Sequence, residues 1–203
     1  MLSEIKKRLN ESKLLLESKK GNFNKVKDLI ENNEVNLNVQ SFFTGRTPII
    51  FSAMGSHEKI VEYLISKKAD LEKNDYFDEK LIHHALKSKL SSTICNDILE
   101  KSSLLTYTDE SGKTLLHLSV IYKRKSVFYF LMDKKVPIDT YDNEGVSPLM
   151  NACENGDYDI VKFLLEHGAK INRMDRKQTP RTVTDYASKH IDILNLISKY
   201  RNN

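Results

Sequence analysis

Cysteine is scarce in this chain. The two in 203 residues, Cys95 and Cys153, lie far apart and form neither a CxxC pair nor a dense scaffold pattern. That excludes the small disulfide-stapled folds and points to a reducing compartment. No run of ~18 apolar residues occurs, the length a membrane-spanning helix needs. The basic N-terminus holds only Leu14-Leu15-Leu16 as an apolar run, short of the h-region of an export signal. An excess of one charge is also lacking: 32 basic residues face 28 acidic ones, a net +4, too mixed to specify nucleic acid or an anionic membrane. HExxH, Walker, GxGxxG and GxSxG motifs are absent, and Gly145-Val146-Ser147-Pro148-Leu149 misses the last of these by its final glycine. What remains is a chain with 39% hydrophobic residues, enough for a core in a soluble, globular protein.

What is present is a period. Asp142 to Asp175 reads DNEGVSPLMNACENGDYDIVKFLLEHGAKINRMD, and Ser147 steps back to Thr114, Lys80, Thr47 and Ser12 at 33 to 35 residues, and forward to Thr182 with two residues added around Gln178-Thr179-Pro180. Glycine and proline test this register because they mark turns. Gly45, Gly112 and Gly145 each precede the Thr or Ser by two, Gly21 and Gly156 follow it by nine, Gly168 follows the second apolar segment, and Gly55 is one place off. Pro48 and Pro148 follow Thr47 and Ser147, where proline suits the first helical turn and the hydroxyl caps it. Leu149, Ala152 and Cys153, then Ile160, Val161, Phe163, Leu164 and Leu165, have helical spacing, so each unit predicts a helical hairpin that must stack on its neighbours to bury its apolar face.

The strings TPIIFS, KLIHHA, TLLHLS and SPLMNA, the following glycine, the LL pair and GAKIN make the chain resemble the ankyrin-repeat family from about Ser12 to Tyr200. The resemblance implies an all-α solenoid of helix-turn-helix units with short β-hairpin-like loops. It implies one domain, 1–203, divided into 7–41 as N-terminal cap, 42–74, 75–108, 109–141, 142–174, and 175–203 as C-terminal cap. Glu4, Lys6, Lys7, Arg8 and Glu11 are expected to charge the front end, and Lys189, Asp192, Lys199 and Arg201 the back. The Lys80 copy lacks both proline and glycine, and its second helix, around Ile94 to Leu99, needs one extra residue. The weakest stacking is expected there.

His83 and His117 occupy the motif's histidine position, with His84 beside the first. In the family that histidine braces the turn by hydrogen bonds. The competing reading is a metal-dependent protein or enzyme built on His83, His84 and His117, since imidazole serves both purposes. Asp109-Glu110 and Asp157 with Asp159 fit turn and capping roles better than acid-base chemistry. Lys19-Lys20, Lys67-Lys68 and Lys123-Arg124-Lys125 fall at different repeat positions, which argues against a single phosphate-binding stripe and a nucleic-acid-binding solenoid.

In an ankyrin-like stack the loops before each Thr form fingers and the first helices form a palm. That register puts Phe42, Phe43 and Arg46 on one finger and Tyr76, Phe77 and Glu79 on the next. Phe51, Met54 and Lys87, then Leu118, Ile121 and Tyr122, fall on the palm; later fingertips are polar, with Glu110, Ser111 and Lys113, then Asn143 and Glu144. Four aromatics on two adjacent tips predict an anchor for a protein partner, with charge selection further along. The expected protein is therefore a cytoplasmic monomer without cofactor or catalytic site. It acts by binding another protein, as a bacterial inhibitor, immunity protein or effector delivered into a host cell. Its lysine, asparagine and isoleucine bias fits an AT-rich genome.

Overall fold

A computed structural model describes residues 1–201. Among these it contains helices and no strand, only the isolated bridges Thr108 with Thr114 and Met174 with Thr182. The chain divides into two compact units, Met1–Leu104 and Leu105–Asn203.

The first unit holds α1 (Leu2–Lys20), α2 (Phe23–Asn32), α3 (Pro48–Met54), α4 (Glu58–Ser66), α5 (Leu81–Lys87) and α6 (Ser92–Glu100). The first helices α1, α3 and α5 pack in one row, the second helices α2, α4 and α6 in another, and each first helix leans on its own second helix. Leu14, Ile49, Ile60, Leu64, Leu81, Ile82 and Ile98 are buried between the rows. The second unit holds α7 (Leu115–Ile121), α8 (Lys125–Asp133), α9 (Pro148–Asn155), α10 (Tyr158–Glu166), α11 (Val183–Tyr186) and α12 (Ile191–Arg201). Here α9 packs on α7, α10 and α11, and Phe128, Leu131, Leu149, Ile160 and Leu164 are buried. Helix starts follow the local chemistry: the Ser147 hydroxyl accepts from Met150 N at 3.2 Å with Pro148 at the first position, and the Ser91 hydroxyl accepts from Ile94 N at 3.4 Å.

Left-handed corners confirm the period more finely than glycine content does. Position nine after the cap residue has positive φ at Gly21, Ser56, Lys123 and Gly156, which explains why Gly55 lies one place off: Ser56 takes the corner, at φ 58°. The position after the second helix is left-handed at Lys68 (62°), Lys135 (57°) and Gly168 (84°). In the Lys80 unit, the first-helix cap is followed by Ser91 as the cap of α6, eleven residues on, against ten from Thr47 to His57 and from Ser147 to Asp157. The extra residue therefore sits in the turn between the helices, and α5 ends on an extended Ser88.

An L side chain in the left-handed region costs about 1–2 kcal/mol, partly offset by the entropy glycine loses on folding. Lys68→Gly and Lys135→Gly are therefore each expected to raise stability by about 0.5–1 kcal/mol, read as a higher urea midpoint at unchanged slope.

Candidate functional site

Every finger after the first is closed by an aspartate that the period repeats. Asp75, Asp109 and Asp142 stand five residues before Lys80, Thr114 and Ser147, and Asp175 seven before Thr182. Their Oδ1 atoms accept two backbone N–H bonds apiece: from Phe77 and Glu79 at 2.9 and 3.0 Å, from Ser111 and Lys113 at 2.9 and 2.8 Å, and from Glu144 and Val146 at 3.0 and 2.9 Å. The loop then crosses back through Asp75 N to Glu79 O at 3.0 Å and its equivalents. An Asx turn of this kind needs a short side chain whose acceptor oxygen lies next to its own backbone. Phe42 occupies the equivalent place before Thr47, so the first finger closes instead by Ser41 N to Arg46 O at 3.0 Å and by the Gln40 amide, which donates to Gly45 O at 2.8 Å and Asn74 O at 3.0 Å. Phe42 is freed from the turn and points outward.

Neighbouring fingers are tied by backbone. Tyr76 N donates to Thr44 O at 2.9 Å, and Asn143 N to Ser111 O at 2.9 Å. The approach is close enough that a Cβ on Gly45 would collide with the Tyr76 ring, and one on Gly112 with Asn143. These glycines are needed both for positive φ and for that contact.

The four predicted fingertip aromatics stand in solvent: Phe42 and Phe43 are each 85% exposed, Tyr76 63% and Phe77 60%. Phe42 and Phe43 meet edge-to-face at 5.3 Å, and the Arg46 guanidinium lies 5.4 Å from the Phe77 ring centre. The rings are held by the loops beneath them, so little ordering is left to a binding event. Met54 is also exposed, while Phe51 is half-buried, with the Lys19 ammonium 5.9 Å from its ring.

Several predicted charges are committed to the stack. Arg46 Nε donates to Asp75 Oδ2 at 3.0 Å, and Lys113 Nζ lies 3.3 Å from Asp142 Oδ2, both from half-buried side chains. Glu79 pairs with Lys87. These four residues tie fingers and palm together before any partner arrives, which narrows the charge selection expected of them. Tyr122 is half-buried in the second unit. Leu118, expected on the palm, is buried, as is Asn151 at the same repeat position of the second unit, whereas Phe51 at that position of the first unit is half-buried.

The histidines divide. His117 Nδ1 accepts from Thr114 N at 3.2 Å and from the Thr114 hydroxyl at 2.9 Å, and its Nε2 donates to Val146 O at 3.0 Å. Both ring nitrogens are used by a neutral imidazole, so His117 has no lone pair for a metal. His83 Nδ1 accepts from Lys80 N at 3.0 Å, the same brace where the hydroxyl cap is missing. The three-histidine cluster is thus corrected to turn braces at His83 and His117. Among the described residues, the donors grouped as a metal would need are Asp75, Glu79 and His84 instead. His84 Nε2 lies 3.1 Å from Asp75 Oδ2 and 3.6 Å from Glu79 Oε2. Arg46 sits on the same Asp75 oxygen and Lys87 on Glu79, so the carboxylates are already neutralised and the network is a tie between finger and palm. Cys95 and Cys153 are buried, and burial pushes the Cys153 thiol up to about 12, far from a reactive thiolate.

Burial also lowers the pKa of His117, against the pull of Val146 O and Asp142. An unfolded histidine takes a proton below about 6.5, whereas the folded one resists it. The unfolded state then binds more protons and stability falls as pH drops. The melting temperature is expected to fall between pH 7.5 and pH 5.5, and His117→Asn, less stable at pH 7.5, to show a shallower fall.

The model of the family described as ankyrin repeats (3 copies) matches residues 14–103 and 82–175. The palmitoyltransferase AKR1 of Lachancea kluyveri is 29% identical over 175 residues, 81% of this chain and 23% of its own length. The chain spans only 10% to 23% of the first curated relatives it matches. A chain of the solved complex between the predatory endopeptidase Bd0816 of Bdellovibrio bacteriovorus and the immunity protein Bd3460 superposes with a TM-score of 0.79. It is 25% identical, and the match covers 92% of this chain and 96% of that one. The ankyrin repeat domain of human ASB11 superposes with a TM-score of 0.75 at 21% identity, over 92% and 82% of the two chains. No helix among the described residues is long and apolar enough to cross a membrane. With the family model covering most of the chain and the finger turns repeating at its period, the chain belongs to the ankyrin-repeat family.

Proposed function

We propose that this chain binds a protein partner through the fingertips of its first unit, with Phe42, Phe43, Tyr76 and Phe77 as the anchor and Met54 beside them, and that it acts as a stoichiometric inhibitor. The exposure of four aromatics on two successive, rigidly closed loops carries this reading. Ankyrin repeats are in general a protein-binding module without catalysis of their own. Large rings held in place supply interface energy at small entropic cost. The likeness to a chain from an endopeptidase and immunity-protein complex supports the inhibitory role. Arg46, Glu79 and Lys87 then act beneath the surface by holding the fingers, and Lys113 and Tyr122 by shaping the second unit.

Affinity capture from cells of the source organism, run in parallel with the native chain and with Phe43→Asp, tests the reading. A single partner retained near one-to-one by the native chain and lost by the variant is expected, and that partner's activity should titrate to zero at one equivalent. Equal recovery on both baits would remove the fingertips from the interface, and full partner activity at saturation would remove the inhibitory role.

A further inference from the structure

Helix α1 departs from the other first helices. The others begin just after the cap residue, whereas α1 begins ten residues before Ser12 and extends for 19 residues, about 28 Å at 1.5 Å per residue. Its inward face is Asn10, Leu14, Glu17 and Ser18, all buried. Its outward face carries Leu2, Ile5, Leu9 and Leu16, whose exposure runs from 85% at Leu2 to 47% at Leu16. At about 100° per residue these four fall within an arc of roughly 60°. Their spacing of three, four and seven is that of heptad seam positions, with Ser12 and Lys19 at the remaining two.

The flanks of the seam are of one sign. Lys6, Arg8, Lys13 and Lys20 take the positions that border a heptad seam, and Lys19 ends the seam with its ammonium turned toward Phe51. Glu4 and Glu11 fall toward the opposite side, where Glu11 accepts from Asn36 N at 3.0 Å, and Glu17 is buried. An arc this narrow is that of a coiled-coil seam; a helix that lies in a lipid surface needs a broad apolar face segregated from its charges. Two copies of α1 would set lysine and arginine against lysine and arginine, which opposes self-association.

We infer that the exposed seam of α1 is a coiled-coil docking site for a helix of another protein whose seam-bordering positions are acidic. The site is separate from the fingertip aromatics and does not depend on them.

Fluorescence anisotropy with a labelled peptide of roughly three heptads, leucine along its seam and glutamate at its borders, tests this on the full chain. Micromolar binding is expected, weakened about tenfold or more when salt is raised from ~50 to ~500 mM. Ile5→Ser with Leu9→Ser, and separately Lys6→Glu with Lys13→Glu, should each weaken it about tenfold or more with unchanged circular dichroism. Replacing Phe43, Tyr76 and Phe77 should leave it unchanged, which separates this site from the fingertips. The inference is overturned by no binding, or by equal affinity for the same peptide bordered with lysine. It is equally overturned if Ile5→Ser with Leu9→Ser abolishes binding to phosphatidylcholine–phosphatidylserine vesicles instead, or dissolves a dimer in sedimentation velocity.

Discussion

Replacing Phe43, Tyr76 and Phe77 together by alanine is expected to weaken partner binding by roughly a thousandfold, about 4 kcal/mol, while the fold survives. Central aromatics in an interface cost about 2 kcal/mol or more each when truncated, though such losses do not add. The fold has little to lose because these rings are mostly in solvent. Tyr76 and Phe77 do touch the preceding finger, over Gly45 and under Arg46, so a loss of stability within about 1 kcal/mol is expected from surface truncation. Calorimetric titration against the captured partner and a thermal melt of the variant separate the two quantities. An affinity within threefold of native, with the melt unchanged, would leave the fingertips without a role in recognition. An anchor of this kind also predicts a gentle response to salt, because its rings carry no net charge.

Much of the fold was legible because ankyrin turns concentrate glycine and proline at a few corners. Gly45, Gly112 and Gly145 mark positions where both the backbone and the next finger exclude a side chain. Corners occupied by Ser56, Lys68, Lys123 and Lys135 left no such mark, since residues with ordinary side chains carry no signal of positive φ. The fingertip aromatics could be placed because exposure there follows from register alone. Their supports could not: that Arg46 and Lys113 face aspartates of the following finger depends on how closely successive loops approach. The recurrence of Asp75, Asp109 and Asp142 was visible, and Phe42 standing in their place was the sign of an unusual first finger. The seam of α1 was hidden by the adjacent basic run Lys6-Lys7-Arg8, which reads as a charged cap until its members are distributed around a helix. Leu118 shows the limit of register, because an apolar residue at a palm position is open or covered according to the side chains around it.

Asp75→Ala is expected to cost about 3–5 kcal/mol, several times the effect of Asp109→Ala at the equivalent turn. Both lose an acceptor for two backbone N–H groups, worth about 1–2 kcal/mol. Asp75 alone also carries the Arg46 guanidinium and the buried His84 on its second oxygen. Its removal leaves a half-buried cation without its counter-charge and strips the fingers of the tie beneath Tyr76 and Phe77. Hydrogen exchange should rise across residues 41–80 in the full-length variant, and Asp75→Asn, which keeps the turn acceptor, should fall between alanine and the native residue. Protection unchanged in Asp75→Ala would show that the network is dispensable. The same tie sets the acid limit of the first unit. Burial works to raise the Asp75 carboxyl, but the bonds from Arg46, Phe77 N and Glu79 N and the nearby His84 outweigh it and hold it below the usual carboxylate range. Its contribution is therefore complete above the unfolded pKa and is lost as pH falls through the lower folded value. Burial meanwhile depresses His84 despite Glu79 and Asp75, so the unfolded chain takes up that proton first, below about 6.5. Acid should thus weaken the first unit in two stages, the earlier removed by His84→Asn and the later by Asp75→Asn.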